Sequence, residues 1–276
     1  MSRPDAVDRP TGLVAEGVSI AYGQTVVVRD LDLEIPTGAF TALVGPNGSG
    51  KSTILRALAG LLKPTAGTVR LDGQPLAVLS TRDVARRVGV LAQGPVAPEG
   101  LTVEALVRQG RYPHRSLFGR WSARDDEACA EALELTGTGN LAHRTLDRLS
   151  GGQRQRAWIA MALAQETPIL LLDEPTTFLD LAHQIEVLEL VSDLVTSRGK
   201  TIVAVLHDLN QAARHADHVV MLKEGEIAAA GRPEAVIDAG TIEHVFGVGV
   251  TVMADPVTGT PMCVPLAGSR RSTAGR

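Results

Sequence analysis

The motif that most constrains the fold lies at residues 45–52, GPNGSGKS, and it matches the phosphate-binding pattern GxxxxGK[ST]. It follows a buried-strand pattern, AFTALV at 39–44, and precedes a helical pattern at 52–62. The glycines let backbone N–H groups approach phosphate oxygens, and the helix start adds the positive end of its dipole. The motif therefore predicts a strand–loop–helix unit that binds a nucleotide.

Two side chains of this segment carry specific expectations. Lys51 supplies a mobile cation for the β and γ phosphates, and the Ser52 hydroxyl is a candidate magnesium ligand. A glycine-rich turn that is followed by lysine and serine by chance is the alternative, which the flanking strand and helix patterns disfavour. The candidate nucleotide-binding residues here are Gly45, Pro46, Asn47, Gly48, Ser49, Gly50, Lys51, Ser52 and Thr53.

A second candidate segment, ILLLDE at 169–174, consists of four apolar residues followed by two acids. A buried strand of this kind delivers carboxylates to the carboxyl edge of the sheet, where α/β proteins bind ligands. We expect Asp173 to join the magnesium shell and Glu174 to orient, or accept a proton from, a water that attacks the γ-phosphate. Two acids that only cap the strand before Pro175 are the alternative.

Composition excludes several other classes of protein. The chain has 276 residues, a formal net charge of -4 and a pI near 6.0, so no global basic field holds nucleic acid, and we expect no nucleic-acid partner. Cys129 and Cys263 lack CxxC spacing, which disfavours a disulfide framework or metal finger and fits a reducing cytosol. The opening residues MSRPDAVDRPTG lead into no apolar run and do not resemble a signal peptide.

Short Val/Ile/Leu runs alternate with helical patterns, which predicts an α/β fold with a mostly parallel sheet. Residues 13–35 break this rhythm with three β-rich pieces, at 14–20, 25–28 and 31–35, and predict an antiparallel β-subdomain. The β-signal is absent between 100 and 149, so we expect a helical insertion, about 100–165 in all. The other predicted strands are 39–44, 68–71, 88–91, 169–172 and 201–206, and the predicted helices are 52–62, 103–109, 123–135, 154–164 and 181–196.

A third segment, LSGGQ at 149–153, precedes the amphipathic helix pattern at 154–164. Ser150 is a plausible N-cap, and the two glycines leave amides uncovered, so this helix start is a second candidate anion site. One nucleotide needs only one phosphate loop, so we expect two chains to share each nucleotide. The candidate residues are Ser150, Gly151, Gly152 and Gln153.

With this motif the sequence resembles the ATP-binding subunits of ABC transporters, whose signature is LSGGQ. The resemblance implies a P-loop NTPase domain over 13–266, and it implies ATP and Mg²⁺ as ligands. We expect residues 1–12 to be disordered and 267–276, which are rich in Arg, Ser and Gly, to form a flexible tail. The resemblance also implies roles for four further residues. Tyr22 would stack on adenine, Gln93 would join the magnesium shell and the catalytic site, Asp180 would be the D-loop aspartate, and His207 would contact the γ-phosphate.

Four longer segments resemble the ATPases of ferric-siderophore importers and of their haem and cobalamin relatives. The segments are DEPTTFLDLAHQ (173–184), LHDLNQAA (206–213), DPVTGTP (255–261) and GRYPH (110–114). The resemblance implies a homodimer bound peripherally to a membrane permease at the cytoplasmic face of the cell membrane, and indirectly a substrate-binding protein. Haem or cobalamin import, or a soluble ABC ATPase, are the alternatives. A chromosome ATPase is disfavoured because 54–148 holds no sustained heptads.

The polar, aromatic-dotted part of the insertion, residues 101–121, is a candidate groove for a cytoplasmic helix of the permease. Arg111, Tyr112 and His114 give it the composition of a binding surface. A packed insertion whose aromatic residues belong to the core is the alternative.

Overall fold

The computed structural model describes residues 12–115 and 120–266, and the expectations for 1–11 and 267–276 lie outside that range. The strands are β1 Leu13–Tyr22, β2 Thr25–Ile35, β3 Phe40–Val44, β4 Ala66–Leu71, β5 Gln74–Pro75, β6 Val88–Leu91, β7 Ile169–Leu172, β8 Thr201–Val205, β9 His218–Lys223, β10 Glu226–Gly231, β11 Val250–Ala254 and β12 Pro261–Pro265. The helices are α1 Lys51–Leu58, α2 Thr81–Ala85, α3 Val103–Gln109, α4 Ala123–Leu135, α5 Gly151–Leu163, α6 Leu181–Arg198, α7 Leu209–His215, α8 Pro233–Val236 and α9 Ala239–Phe246.

An antiparallel sheet in the order β2-β1-β4-β5 forms the expected N-terminal subdomain. The two β-rich pieces predicted at 25–28 and 31–35 are one strand, β2, with a local irregularity between them. Asp30 takes a φ of +40°, and its N–H donates to Ser19 Oγ at 2.9 Å. The chain therefore bulges there without leaving the sheet.

The second sheet, ordered β10-β9-β3-β8-β7-β6, is parallel except for its edge strand β10. Strands β3, β7 and β8 are buried at every residue, because helices cover one face and α1 with the antiparallel sheet covers the other. Since these three strands are parallel neighbours, the residues that follow them meet at one edge. The phosphate loop, Asp173 with Glu174, and His207 are therefore brought together.

The helical insertion packs α3 and α4 against α5. Helices α3 and α4 have the predicted bounds, because Thr102 and Ser122 cap their first turns. Helix α5 begins three residues before the predicted start, at Gly151, because Ser150 is its N-cap. Helix α1 ends at Leu58 rather than 62, where Gly60 at φ +70° lets Leu61 N–H donate back to Arg56 O at 2.9 Å.

The C-terminal hairpin β11–β12 lies against α7, the helix that follows His207. The Asn210 amide pairs with the Cys263 backbone, with Oδ1 accepting at 2.7 Å and Nδ2 donating at 3.2 Å. Arg214 Nε donates to Asp255 Oδ2 at 2.6 Å. Two segments singled out in the sequence, 206–213 and 255–261, thus belong to one packed unit. Among the described residues, every helix is too short or too polar to cross a bilayer.

Candidate nucleotide-binding and hydrolysis site

The phosphate loop turns sharply out of β3 at Gly45, where φ is +151°. A Cβ at this position would lie 2.2 Å from the Leu222 carbonyl oxygen on β9 and 2.8 Å from Ser49 Oγ. The loop therefore packs so closely on the neighbouring strand that only glycine fits. Beyond this point Asn47 and Gly48 are exposed, so the outer part of the loop faces solvent.

Lys51 begins α1 and folds back over the loop. Its Nζ donates to the carbonyl oxygens of Gly45 at 2.8 Å and Pro46 at 2.9 Å, and the side chain is buried. Burial lowers the pKa of the ammonium, and the nearby carboxylates of Glu174 and Asp173 oppose that shift. The loop thus surrounds the buried Lys51 ammonium with backbone groups, at the position where the motif predicts that phosphate binds.

Ser52 and Asp173 join the loop to the end of β7. Ser52 Oγ donates to Asp173 Oδ1 at 2.7 Å, and Asp173 is only 2% exposed. Its other oxygen, Oδ2, is buried with no hydrogen-bond partner in the described part of the chain, and burial raises the pKa of this carboxyl. A hydroxyl and a carboxylate with an unused oxygen are hard ligands of the kind that Mg²⁺ takes, so these residues fit the ion that the sequence implies.

Glu174 occupies the left-handed region at φ +54°, and three side chains converge on its carboxylate. His207 Nε2 lies 2.9 Å from Oε1, while Gln93 Nε2 and Thr177 Oγ1 donate to Oε2 at 2.6 and 2.9 Å. Burial alone would raise the pKa of this carboxyl, but the hydrogen bonds, chiefly from His207 and Thr177, outweigh burial and lower it. The geometry keeps Glu174 ionised and able to accept a proton.

The structure therefore brings together Lys51, Ser52, Asp173 and Glu174 with the loop residues Gln93 and His207, all named from the sequence. Thr177 was not among the candidate site residues chosen from the sequence. Its position three residues after Glu174, within one turn, was the signal that could have found it. The turn closes with Thr177 N–H donating to Glu174 O at 3.3 Å.

The signature residues lie at the N-terminus of α5. Ser150 Oγ accepts from Gln153 N–H at 3.3 Å, and Gln153 Oε1 accepts from Ser150 N–H at 3.2 Å, which forms a capping box. Gly152 is buried against His183 of α6, so a Cβ there would lie 2.1 Å from the imidazole ring. The helix start is thus held against α6.

Two candidate residues lie apart from the carboxylate cluster. Tyr22 is 48% exposed and ends β1, paired with Thr25 across the hairpin. Asp180 is the N-cap of α6, where Oδ1 accepts from His183 N–H at 3.0 Å and lies 2.7 Å from His183 Nδ1. Within this chain, Asp180 therefore fixes the start of α6, beside the signature helix.

The prediction that residues 101–121 form an exposed binding surface is wrong for Arg111. This side chain is 3% exposed, and it pairs with Asp125 at 2.9 Å and with Glu166 at 2.8 Å. The buried guanidinium ties α4 to the end of α5, and a charge so placed must be paired because desolvation is costly. Tyr112 is 65% exposed, as a surface residue should be.

The chain matches the model of the ABC transporter family over residues 28–177. It is 52% identical over 262 residues to the ferric enterobactin transport ATP-binding protein FepC of Escherichia coli strain K12, an alignment that covers 95% of this chain and 97% of FepC. The chain belongs to the ABC transporter ATP-binding family. It is therefore an ABC ATPase, and the predicted α/β class and family resemblance are confirmed.

Solved structures agree with this assignment. A metal-chelate type ABC transporter in an inward-facing conformation matches with a TM-score of 0.81 and 28% identity, covering 94% of this chain and 98% of that chain. MJ0796, a bacterial ABC transporter cassette solved as a dimer, matches with a TM-score of 0.70 and 30% identity, covering 80% of this chain and 98% of that chain. Both similarities extend well beyond residues 28–177.

Proposed function

We propose that this chain is the ATP-hydrolysing subunit of an importer that takes up a ferric siderophore. The observation that carries this proposal is the site itself, where Ser52 and Asp173 adjoin a carboxylate, Glu174, that His207 and Gln93 contact. The cargo assignment rests on similarity to FepC, which is named for ferric enterobactin transport, because a nucleotide site does not identify what is transported.

Lys51 and the backbone N–H groups of residues 47–53 would bind the phosphates of ATP, and Tyr22 would stack on the adenine ring. Ser52, Asp173 and Gln93 would hold Mg²⁺, which neutralises charge on the phosphates. The fit is supported by the unused Asp173 oxygen beside the Ser52 hydroxyl.

Glu174 would act as general base in hydrolysis. The oxygen of a water forms a bond to the γ-phosphorus, the bond from that phosphorus to the β–γ bridging oxygen breaks, and the proton of the water passes to the carboxylate. ADP and inorganic phosphate are the products. His207, whose Nε2 lies 2.9 Å from Oε1, would orient the carboxylate and contact the γ-phosphate.

Two copies of the chain would enclose the nucleotide, with Ser150, Gly151, Gly152 and Gln153 of one copy facing the phosphate loop of the other. A helix N-terminus attracts anions, and this one carries glycines rather than side chains that would cover its amides. Asp180 would lie at the same interface, since it starts the helix packed on Gly152. The dimeric MJ0796 cassette supports this arrangement.

The dimer would bind peripherally to a permease at the cytoplasmic face of the membrane, and a substrate-binding protein would deliver the cargo to that permease. A groove beside Gln93 supports a docking site for the permease, although its lining residues lie outside the segment 101–121 that was expected to form it. Val96 at 91% exposure and Phe178 at 94% exposure flank it, and Trp158 of α5 lines its wall. Movement of Gln93 with ATP binding would then be transmitted to the permease.

Glu174→Gln tests the ATPase part of the proposal. The change keeps the shape and removes the base, so we expect hydrolysis to fall at least about a hundredfold while ATP binding persists. With ATP and magnesium the variant should become a dimer by size-exclusion chromatography with multi-angle light scattering. A variant that hydrolyses ATP at the wild-type rate would refute the role of Glu174.

Gene deletion tests the cargo. A deletion strain should grow poorly under iron limitation and fail to take up a radiolabelled ferric siderophore, and a plasmid carrying Glu174→Gln should not restore uptake. The wild-type gene is the matched control. Normal ferric-siderophore uptake in the deletion strain would overturn the cargo assignment and leave the ATPase assignment intact, and haem or cobalamin uptake would then be measured.

A further inference from the structure

We propose that Thr177 is a positioning residue for Glu174 and that its hydroxyl aims the carboxylate at the attacking water. This inference rests on the proposed role of Glu174 as general base. The two residues are joined twice, since Thr177 Oγ1 donates to Glu174 Oε2 at 2.9 Å and Thr177 N–H donates to Glu174 O at 3.3 Å. One turn thus fixes both the backbone and the side chain of Glu174.

The three side chains that contact the Glu174 carboxylate come from different parts of the chain. Gln93 belongs to the loop after β6, and His207 belongs to the loop after β8. Both are exposed, so each can leave the carboxylate when its own loop moves. Thr177 lies on the same turn as Glu174, and its contact therefore moves with the carboxylate.

The turn is itself anchored from α6. Gln184 Nε2 donates to Leu179 O at 3.0 Å, and Asp180 caps the first turn of that helix. These contacts fix the segment that follows Thr177. The hydroxyl is consequently presented to Glu174 from a turn that is attached to a helix of 18 residues.

Two substitutions separate the effect of the Thr177 hydroxyl from the effect of the shape of its side chain. Thr177→Val keeps the branched side chain and removes the donor, whereas Thr177→Ser keeps the donor and loses a methyl group. We expect Thr177→Val to lower kcat by about tenfold or more, because it removes one hydrogen bond to a charged group. The KM for ATP should change by less than about twofold. Thr177→Ser should recover most of kcat. Thr196→Val on α6 is the matched control, since Thr196 is exposed and bonds only within its own helix among the contacts described.

The Glu174→Gln background shows whether Thr177 acts through Glu174. If it does, adding Thr177→Val to Glu174→Gln should lower the single-turnover hydrolysis rate by less than about twofold, because the group that Thr177 positions is already gone. A merely structural role predicts the same loss in both backgrounds. Equal losses, or a wild-type kcat in Thr177→Val, would overturn the inference.

Two further comparisons keep the test decisive. If Thr177→Val melts several degrees below wild type, the pair Thr177→Ala and Thr177→Ser is compared instead, since these differ only by the hydroxyl, and equal kcat values would overturn the inference. Wild-type hydrolysis by Glu174→Gln alone would overturn the inference and the proposed base together. Loss of hydrolysis in Glu174→Gln with full kcat in Thr177→Val would overturn the inference alone.

Discussion

Gly152 shows how a single residue of the site is fixed by its neighbour. A Cβ built on it would lie 2.4 Å from Cγ and 2.9 Å from Cβ of His183, and the Cβ of His183 is attached to the backbone of α6. A rotamer change of the imidazole cannot relieve that contact, so α6 would have to move. Glycine is therefore required here by packing between two helices.

Gly152→Ala should lower the free energy of unfolding by about 1–3 kcal/mol, the usual cost of overpacking, measured as a fall in chemical-denaturation midpoint. Gly151→Ala is the matched control. Its Cβ would meet Leu179 and Phe178 at an ordinary 3.7 Å. We expect that control to change the free energy of unfolding by less than about 1 kcal/mol. Equal denaturation midpoints for the two variants would show that α6 moves without any loss of stability and would contradict this account.

At the scale of elements, the start of α4 was predicted from the sequence, whereas the ion pair between its Asp125 and Arg111 was not. Ser122 and Asp125 form its capping box, and Asp125 also accepts from Arg111 Nε at 2.9 Å. Burial opposes ionisation of Asp125, but the bonds from Ser122 and Arg111 outweigh it and lower the pKa to about 2. One carboxylate thus caps a helix and neutralises a buried guanidinium.

Asp125→Asn should therefore destabilise the protein in a pH-dependent way. The folded pKa lies below that of an unfolded Asp, so the stabilisation is complete above about pH 4 and is lost as the pH falls towards 2. At pH 7 we expect a loss of about 2 kcal/mol, the free energy that corresponds to a pKa lowered from 3.8 to about 2. Thermal melting of wild type and variant should converge near pH 2, with exposed Asp193→Asn as the control. A gap in melting temperature that persists at pH 2 would contradict this account.

At the scale of the whole molecule, the signature helix and the phosphate loop are expected to meet only between two copies. Ser150 also caps α5 within its own chain. Replacing Ser150 by arginine removes this cap and should cost about 1 kcal/mol of stability, without affecting ATP binding to the monomer. The two roles of Ser150 are therefore separable by experiment.

Mixing Ser150→Arg with Lys51→Ala tests the shared site. Each variant alone should fail to hydrolyse ATP, because Lys51→Ala removes a charge-assisted phosphate contact and Ser150→Arg blocks the second anion site. A heterodimer has one intact combination, the loop of the Ser150→Arg chain with the signature of the Lys51→Ala chain. We expect the mixture to regain ATPase activity above either parent, measured as phosphate release. Activity no higher than the parents', with heterodimers shown to form, would contradict shared sites.

Much of the fold and part of the candidate site could be predicted because their signals are local. The run ILLL ended by two acids predicts a buried strand with its carboxylates at the sheet edge, and β7 has those bounds. Thr102 and Ser122 give the starts of α3 and α4 because capping is a contact within four residues. The phosphate loop likewise carries its pattern within eight residues.

The α/β order of elements, the nucleotide loop and the family follow from the sequence, since periodicity, caps and short motifs are local patterns along the chain. The tertiary fold sets which side chains meet when they are distant in the sequence. It places His207 and Gln93 on the Glu174 carboxylate, buries Arg111 among acids, and joins Asn210 to Cys263. Such pairs depend on strand order, register and helix packing, which bring together residues that are distant in the sequence, such as Gln93 and Glu174, 81 positions apart.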